Sequence, residues 1–211
     1  MFAPDSKRLR FEPQSALLAL ALFPGAAQAH HVMDGALPST LGEGLLSGLG
    51  HPIIGLDHFL FVVALGVLCW RMNIGLGAVA GFLGASLLGV MLHLASIGIP
   101  GNEILVALSL LGVGVSLWRG RGWSRPRAVL PAIAVGIFHG YAYGEAIVGA
   151  EAGVLASYLV GLAVIQSLIG AASYWVAMTA ARRIESAHGV SRWIGGLVSL
   201  AGIGFLLLNV S

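Results

Sequence analysis

The chemistry available to this chain is concentrated in three short stretches. The first is Gly50-His51-Pro52-Ile53-Ile54-Gly55-Leu56-Asp57-His58, the second holds the single His93, and the third is Phe138-His139-Gly140-Tyr141-Ala142-Tyr143-Gly144-Glu145. Imidazole with carboxylate is the donor set that suits nickel, cobalt or zinc, whereas calcium or magnesium asks for oxygen alone. Cys69 is the only cysteine, so an intrachain disulfide and a thiolate cluster are both excluded. The candidate metal ligands are therefore His51, Asp57, His58, His93, His139 and Glu145.

Their surroundings make these residues informative. Asp57 and Glu145 fall within apolar segments, where each charged side chain near a bilayer centre costs roughly 2.5–3.5 kcal/mol. A proton, a water-filled cavity or a cation has to compensate them. On one regular helix His51 and His58 would share a face but stand about 10.5 Å apart along the axis, so a single ion could not reach both without local unwinding. Asp57 and His58 would point about 100° apart, and Glu145 about 120° away from His139, so a shared centre needs several helices or a broken one.

The elements that must position them are membrane helices. Hydrophobic residues make up 57% of the 211-residue chain and charged residues only 9%, against about 25% charged in soluble domains. Apolar segments of membrane length recur at 53–71, 74–97, 103–118, 128–148, 153–178 and 193–210, which predicts about six transmembrane helices and an all-α membrane fold. Arg71, Arg119, Arg121, Arg125, Arg127, Arg182, Arg183 and Arg192 all lie in or beside the first, third and fifth connections. By the positive-inside rule those connections are cytoplasmic and both mature termini periplasmic, in a bacterial inner membrane. His51, Asp57, His58, His93 and Glu145 then fall in the outer half, with His139 near mid-membrane. Glycines at helical packing spacing, Gly77/Gly81 and Gly136/Gly140/Gly144, read as ridges that let helices approach closely.

The N-terminus carries Lys7, Arg8 and Arg10, then the apolar run from Ala16 to Phe23, then Ala27-Gln28-Ala29. That order predicts a cleavable signal peptide over residues 1–29, followed by one membrane domain over 30–211. Cleavage after Ala29 would leave His30 and His31 beside a free α-amine, a candidate outer capture pair. Glu43, Glu103 and Glu151 fall at outer helix ends or in loops, where a solvated acidic rim is the simpler account. His188 falls in a cytoplasmic connection. A histidine alone in a span, such as His93, is as readily an interhelical hydrogen-bond partner as a ligand.

The motif His51-Pro52-x-x-Gly55-x-Asp57-His58, paired with Phe138-His139-Gly140-x-Ala142-x-Gly144-Glu145, resembles the HupE/UreJ family of nickel and cobalt permeases. The His-His pair at the cleavage site and the six-span layout extend the resemblance over essentially the whole chain. It implies a secondary permease that admits nickel or cobalt for metalloenzyme or cobalamin assembly, with His51, Asp57, His58, His139 and Glu145 in the transport site. Tyr143 departs from the family pattern, which has a second histidine four residues after His139.

The first and fourth spans have opposite orientations and equivalent places in two three-helix halves, so a 3+3 inverted repeat with the site at the half interface is the natural hypothesis. The expected partners are a divalent metal ion, Ni²⁺ or Co²⁺, as cargo and the lipid bilayer as solvent. No permanently bound cofactor and no nucleic acid is expected, and the chain carries no ATP-binding motif. The competing reading is an intramembrane zinc-dependent hydrolase, in which the same His and Asp residues would hold zinc with an open water position. Against it stand the lack of a His-Glu-x-x-His helix and of a Ser or Cys nucleophile beside a histidine in the motifs.

Overall fold

The computed structural model describes residues 36–120, 124–183 and 186–210, with the Arg125 side chain left aside. The signal segment and the His30/His31 pair lie outside the described residues. Within them the chain is helical throughout: α1 (Leu41–Ile54), α2 (Leu56–Arg71), α3 (Gly77–Leu94), α4 (Asn102–Arg119), α5 (Arg125–Gly144), α6 (Ala152–Ala181) and α7 (Ala187–Val210), with a 3₁₀ turn at Glu145–Ile147.

Four helices, α3, α4, α6 and α7, are long and apolar enough to cross a membrane, and α1 with α2 makes a fifth candidate if the bent pair is one span. Side chains such as Leu130, Leu168, Val176 and Leu207 are exposed on the outer surface, as lipid-facing positions should be. The chain is a multi-pass membrane protein. About six uniform spans were expected, and α5 is the one that falls short. Arg127, Pro131 and the polar run from His139 to Gly144 lower its hydropathy.

The largest departure from expectation is in the first span. Instead of one helix over 53–71, helix begins at Leu41 and breaks at Gly55, with the two halves bent by 76°. Thr40 and Glu43 form a capping box that starts α1. Pro52 lacks the amide that would continue the α1 ladder to Gly48, and three residues later Gly55 takes an extended conformation (φ −71°, ψ 95°) that serves as C-cap of α1 and N-cap of α2. The Gly55 N–H still reaches the His51 carbonyl (3.0 Å), and its own carbonyl accepts from Phe59 (2.9 Å), so the break leaves both of its backbone groups bonded. Broken backbone at membrane depth is tolerated where it lines a cavity, and this one does.

Small residues set the helix pairings. On α5, Gly136, Gly140 and Gly144 lie directly against the Phe82, Ser86 and Val90/His93 region of α3, so that a methyl group at Gly140 would fall on the Ser86 backbone. That ridge was legible in the sequence. On the opposite flank Gly44 and Gly48 of α1 press on Val154–Leu162 of α6, and Gly66 of α2 on Gly170 of the same helix. The main core joins α2, α3, α4 and α7 through Phe61, Leu65, Leu68, Phe82, Leu110, Leu117 and Val198. It fills the end of the bundle at which Arg71, Arg119 and Arg192 lie.

Candidate metal site

At the other end of the bundle the α1–α2 break, the last turn of α3, the first turn of α4 and the ends of α5 and α7 surround a cavity of about 160 Å³. His51, Asp57, His58, His93 and Glu145 line it, so five of the six predicted ligands share one space. The sixth, His139, is fully buried beneath it: its Nδ1 lies 2.8 Å from Nδ1 of His58, which closes the floor.

The break is what brings the first motif together. Because the chain turns by 76° between them, the His51 and His58 rings have centroids 5.9 Å apart rather than standing two turns apart on one helix. The local unwinding that the spacing demanded is therefore present. Asp57 occupies the first turn of α2, where its Oδ1 accepts the His58 backbone N–H (2.8 Å) and stands 3.9 Å from His58 Nε2. A carboxylate at a helix N-terminus is favoured by the unpaired amides and the helix dipole, which supplies part of the compensation a charge there requires. Opening to the cavity supplies more: Asp57 retains 16% side-chain exposure, and Glu145 is exposed at the end of α5 rather than held at depth within a span.

Two hydroxyls hold the buried histidines from behind. Ser109 of α4 lies 2.9 Å from His139 Nε2 while donating its proton to the Val106 carbonyl (2.6 Å). Tyr158 of α6 lies 3.2 Å from His51 Nδ1 while donating to the Tyr143 carbonyl (2.7 Å). Both were missed in the sequence, since a serine or a tyrosine in a span is an ordinary packing residue until its neighbour is known. The rings of Phe61 and Phe82 enclose His139 at centroid distances of 4.5 and 5.4 Å.

His93 stacks on Tyr141 (4.4 Å between centroids), and its buried Nδ1 has no hydrogen-bond partner among the described residues. The interhelical hydrogen bond that would account for a lone membrane histidine is thus not made through that atom. The cavity also takes in Asn102, Glu103 and Asn209. Glu103 was expected only on a solvated rim, and it does line this space. Glu43 belongs to the α1 cap, and His188 is exposed near Trp70 at the arginine-rich end. Tyr143, where the resemblance leads to a second histidine being expected, has its ring 4.5 Å from that of His58 and 5.2 Å from that of His51. Its hydroxyl is buried without a partner among the described residues.

Among the described residues no three His, Cys, Asp or Glu side chains converge closely enough to hold an ion as they stand. The arrangement is a lined path with paired donors. For three of these side chains to share one ion, the walls would have to move inward.

Comparison with known proteins agrees with the motifs. The family model described as HupE / UreJ protein matches residues 18–205. Protein HupE of Rhizobium leguminosarum bv. viciae is 30% identical over 198 residues, spanning 90% of this chain and 95% of that relative. No solved structure matches the chain. With paired motifs gathered around one intramembrane cavity and a match along nearly its whole length, the chain belongs to the HupE/UreJ family.

Proposed function

We propose that the protein is a secondary permease that brings a divalent transition-metal ion, nickel or cobalt, across the inner membrane for metalloenzyme or cobalamin assembly. The observation that carries this reading is the cavity in which His51, Asp57, His58, His93 and Glu145 face one another above the buried His58–His139 pair. Carboxylates there would offset the charge of the cation, and imidazoles would favour borderline-soft metals over calcium and magnesium. With the arginine-bearing connections inside, the cavity opens outward, so the ion enters past Glu103 and Glu145, meets His93 and His51, and reaches Asp57 and His58 at the floor. His30 and His31, exposed by removal of residues 1–29, would serve as a capture pair on the same side.

An inward-negative potential favours entry of a divalent cation by about 4.6 kcal/mol per 100 mV, so import needs no nucleotide. The helix pairings support a 3+3 repeat: α3 packs on α5 as α6 packs on the bent first span, and α4 packs on α7, the contacts a two-fold between the halves would exchange. His58 from the first half then meets His139 from the second at the half interface.

The test is uptake of radioactive nickel and, separately, cobalt by cells expressing the full chain, against cells with empty vector. Uptake of one metal that His58→Ala abolishes at matched membrane abundance identifies the substrate. Uptake of neither above the control overturns the permease reading and turns attention to a metal-dependent hydrolase.

A further inference from the structure

Two hydrogen-bond chains run from helix backbone to the cavity, and each begins at a hydroxyl whose single proton is already committed. The Ser109 and Val106 oxygens are 2.6 Å apart and the Tyr158 and Tyr143 oxygens 2.7 Å apart. Oxygens that close repel unless a hydrogen lies between them, so the hydroxyl hydrogens point at those carbonyls. Each hydroxyl oxygen can then only accept from the imidazole beside it.

The consequences propagate along each chain. At His51 the nitrogen facing Tyr158 is Nδ1, 3.2 Å away, so the neutral ring carries its proton on Nδ1 and leaves Nε2 unprotonated. At His139 the nitrogen facing Ser109 is Nε2, 2.9 Å away, so its proton sits on Nε2 and Nδ1 becomes an acceptor. Among the described residues the group facing that acceptor is Nδ1 of His58, at 2.8 Å, where two protons could not both fit. A neutral His58 therefore donates from Nδ1 and leaves Nε2 unprotonated, 3.9 Å from the Asp57 carboxylate. Complete burial of His139 between two phenylalanine rings disfavours the alternative in which that ring carries a charge.

We infer that Ser109 and Tyr158 are positioning residues that set the proton positions of the three buried histidines, so that His51 and His58 both offer Nε2 to the metal, and that His139 orients His58 instead of binding the ion itself. The nature of the ion rests on the permease reading above; the proton arrangement does not. A histidine ligand is commonly fixed by the hydrogen bond its other nitrogen makes. With metal–nitrogen bonds of about 2.0–2.1 Å, two imidazoles on one ion have ring centroids on the order of 5–6 Å apart, and the His51 and His58 centroids are 5.9 Å apart.

The test is ring-nitrogen NMR of the full chain in detergent, labelled with ¹⁵N-histidine and kept free of metal, together with calorimetric titration by nickel chloride. Wild type is expected to show protonated Nδ1 and bare Nε2 at His51 and His58, and the reverse at His139. Ser109→Ala should release the arrangement at His139 and at His58, two links away, and weaken nickel binding by about 10–100-fold. Ser109→Thr, which keeps the hydroxyl, should restore the wild-type pattern at both rings. Tyr158→Phe should act on His51 and leave the His58 signals in place. A protonated Nε2 on His58 in wild type, or a Ser109→Ala spectrum altered at His139 alone, overturns the inference. Because the wild-type spectrum decides by itself, a variant that fails to fold does not shelter it. Cells that take up no metal while the proton pattern holds would count against the permease reading only.

Discussion

Asp57→Asn separates two roles that the geometry permits for this carboxylate. In the first, Asp57 merely starts α2: its Oδ1 accepts the His58 N–H at 2.8 Å in the first turn. Asparagine keeps that acceptor, and losing the charge at a helix N-terminus costs only about 0.3–1 kcal/mol. In the second, Asp57 offsets the charge of a cation seated beside His58 Nε2, which is 3.9 Å away. Two unit charges 4 Å apart attract by about 4 kcal/mol at an effective dielectric of about 20, and a divalent ion doubles this. Reducing the total to about a third for the water that reaches the cavity still leaves about 2.7 kcal/mol, or roughly a hundredfold in occupancy. Uptake of radioactive nickel or cobalt at limiting metal is therefore expected to fall at least about 30-fold, with membrane abundance and thermal stability in detergent near wild type. Uptake within about threefold of wild type at equal abundance would refute the charge-compensation argument and leave Asp57 as a helix-start residue.

Tyr143→His puts an imidazole where a phenol ring now sits against both His51 and His58, and removes a buried hydroxyl that lacks a partner among the described residues. Nickel binding measured by calorimetry should tighten by about tenfold or more, about 1.4 kcal/mol; unchanged or weaker binding would mean that no ion sits between these rings. Gly55→Ala is tolerated by the backbone, but the new methyl group would meet His58 Cδ2 at 2.7 Å. Uptake should fall by about tenfold while the protein remains folded, because small misplacements of a binding group are amplified in function. Cys69, fully buried toward the arginine-rich end of α2, should react slowly with maleimide in inside-out vesicles and, on the permease reading, faster when nickel is added. A rate that nickel leaves unchanged would favour a route that avoids this core.

The gathering of the cavity residues was legible before any fold was known, because hydropathy marks the spans and alternation of direction from span to span follows from their short connections. Those two facts alone put His51, Asp57, His58, His93 and Glu145 at one end of the bundle. What escaped is instructive. α1 was invisible to a hydropathy window because Gly42, Glu43, Gly44, Gly48 and Gly50 depress its average, although two of these glycines, Gly44 and Gly48, let it lie flush against α6. Pro52 signalled the break at Gly55 and went unused: a missing amide costs a ladder bond wherever it falls inside a helix. The apolar run to Val148 places Glu145 within a span, but α5 ends at Gly144 and frees the carboxylate to face the cavity. Ser109 and Tyr158 could not be found at all. Their significance lies in partners 30 and 107 residues away in sequence, and a lone hydroxyl in a span ordinarily bonds its own helix.

The two ends of the bundle differ in kind: one holds a cavity lined by imidazoles and carboxylates, the other an apolar core. Below His58 and His139 the rings of Phe61 and Phe82 pack 5.1 Å apart, and from there to Cys69 the interior is a dry core of Val62, Leu65, Leu68, Val79 and Leu110. A divalent cation cannot be left unliganded in such a medium, since the desolvation cost far exceeds what the membrane potential supplies. On the proposed permease reading, transport through this fold has to move helices. The surfaces suited to that movement are the glycine contacts of α5 on α3 and of α6 on the bent first span, which lack large interdigitating side chains where the backbones meet. Gly55 sits where a change in the 76° bend would carry His51 relative to His58. An ion that draws the two Nε2 atoms together would thus act on the hinge directly, so that loading the site and shifting the helices become one event.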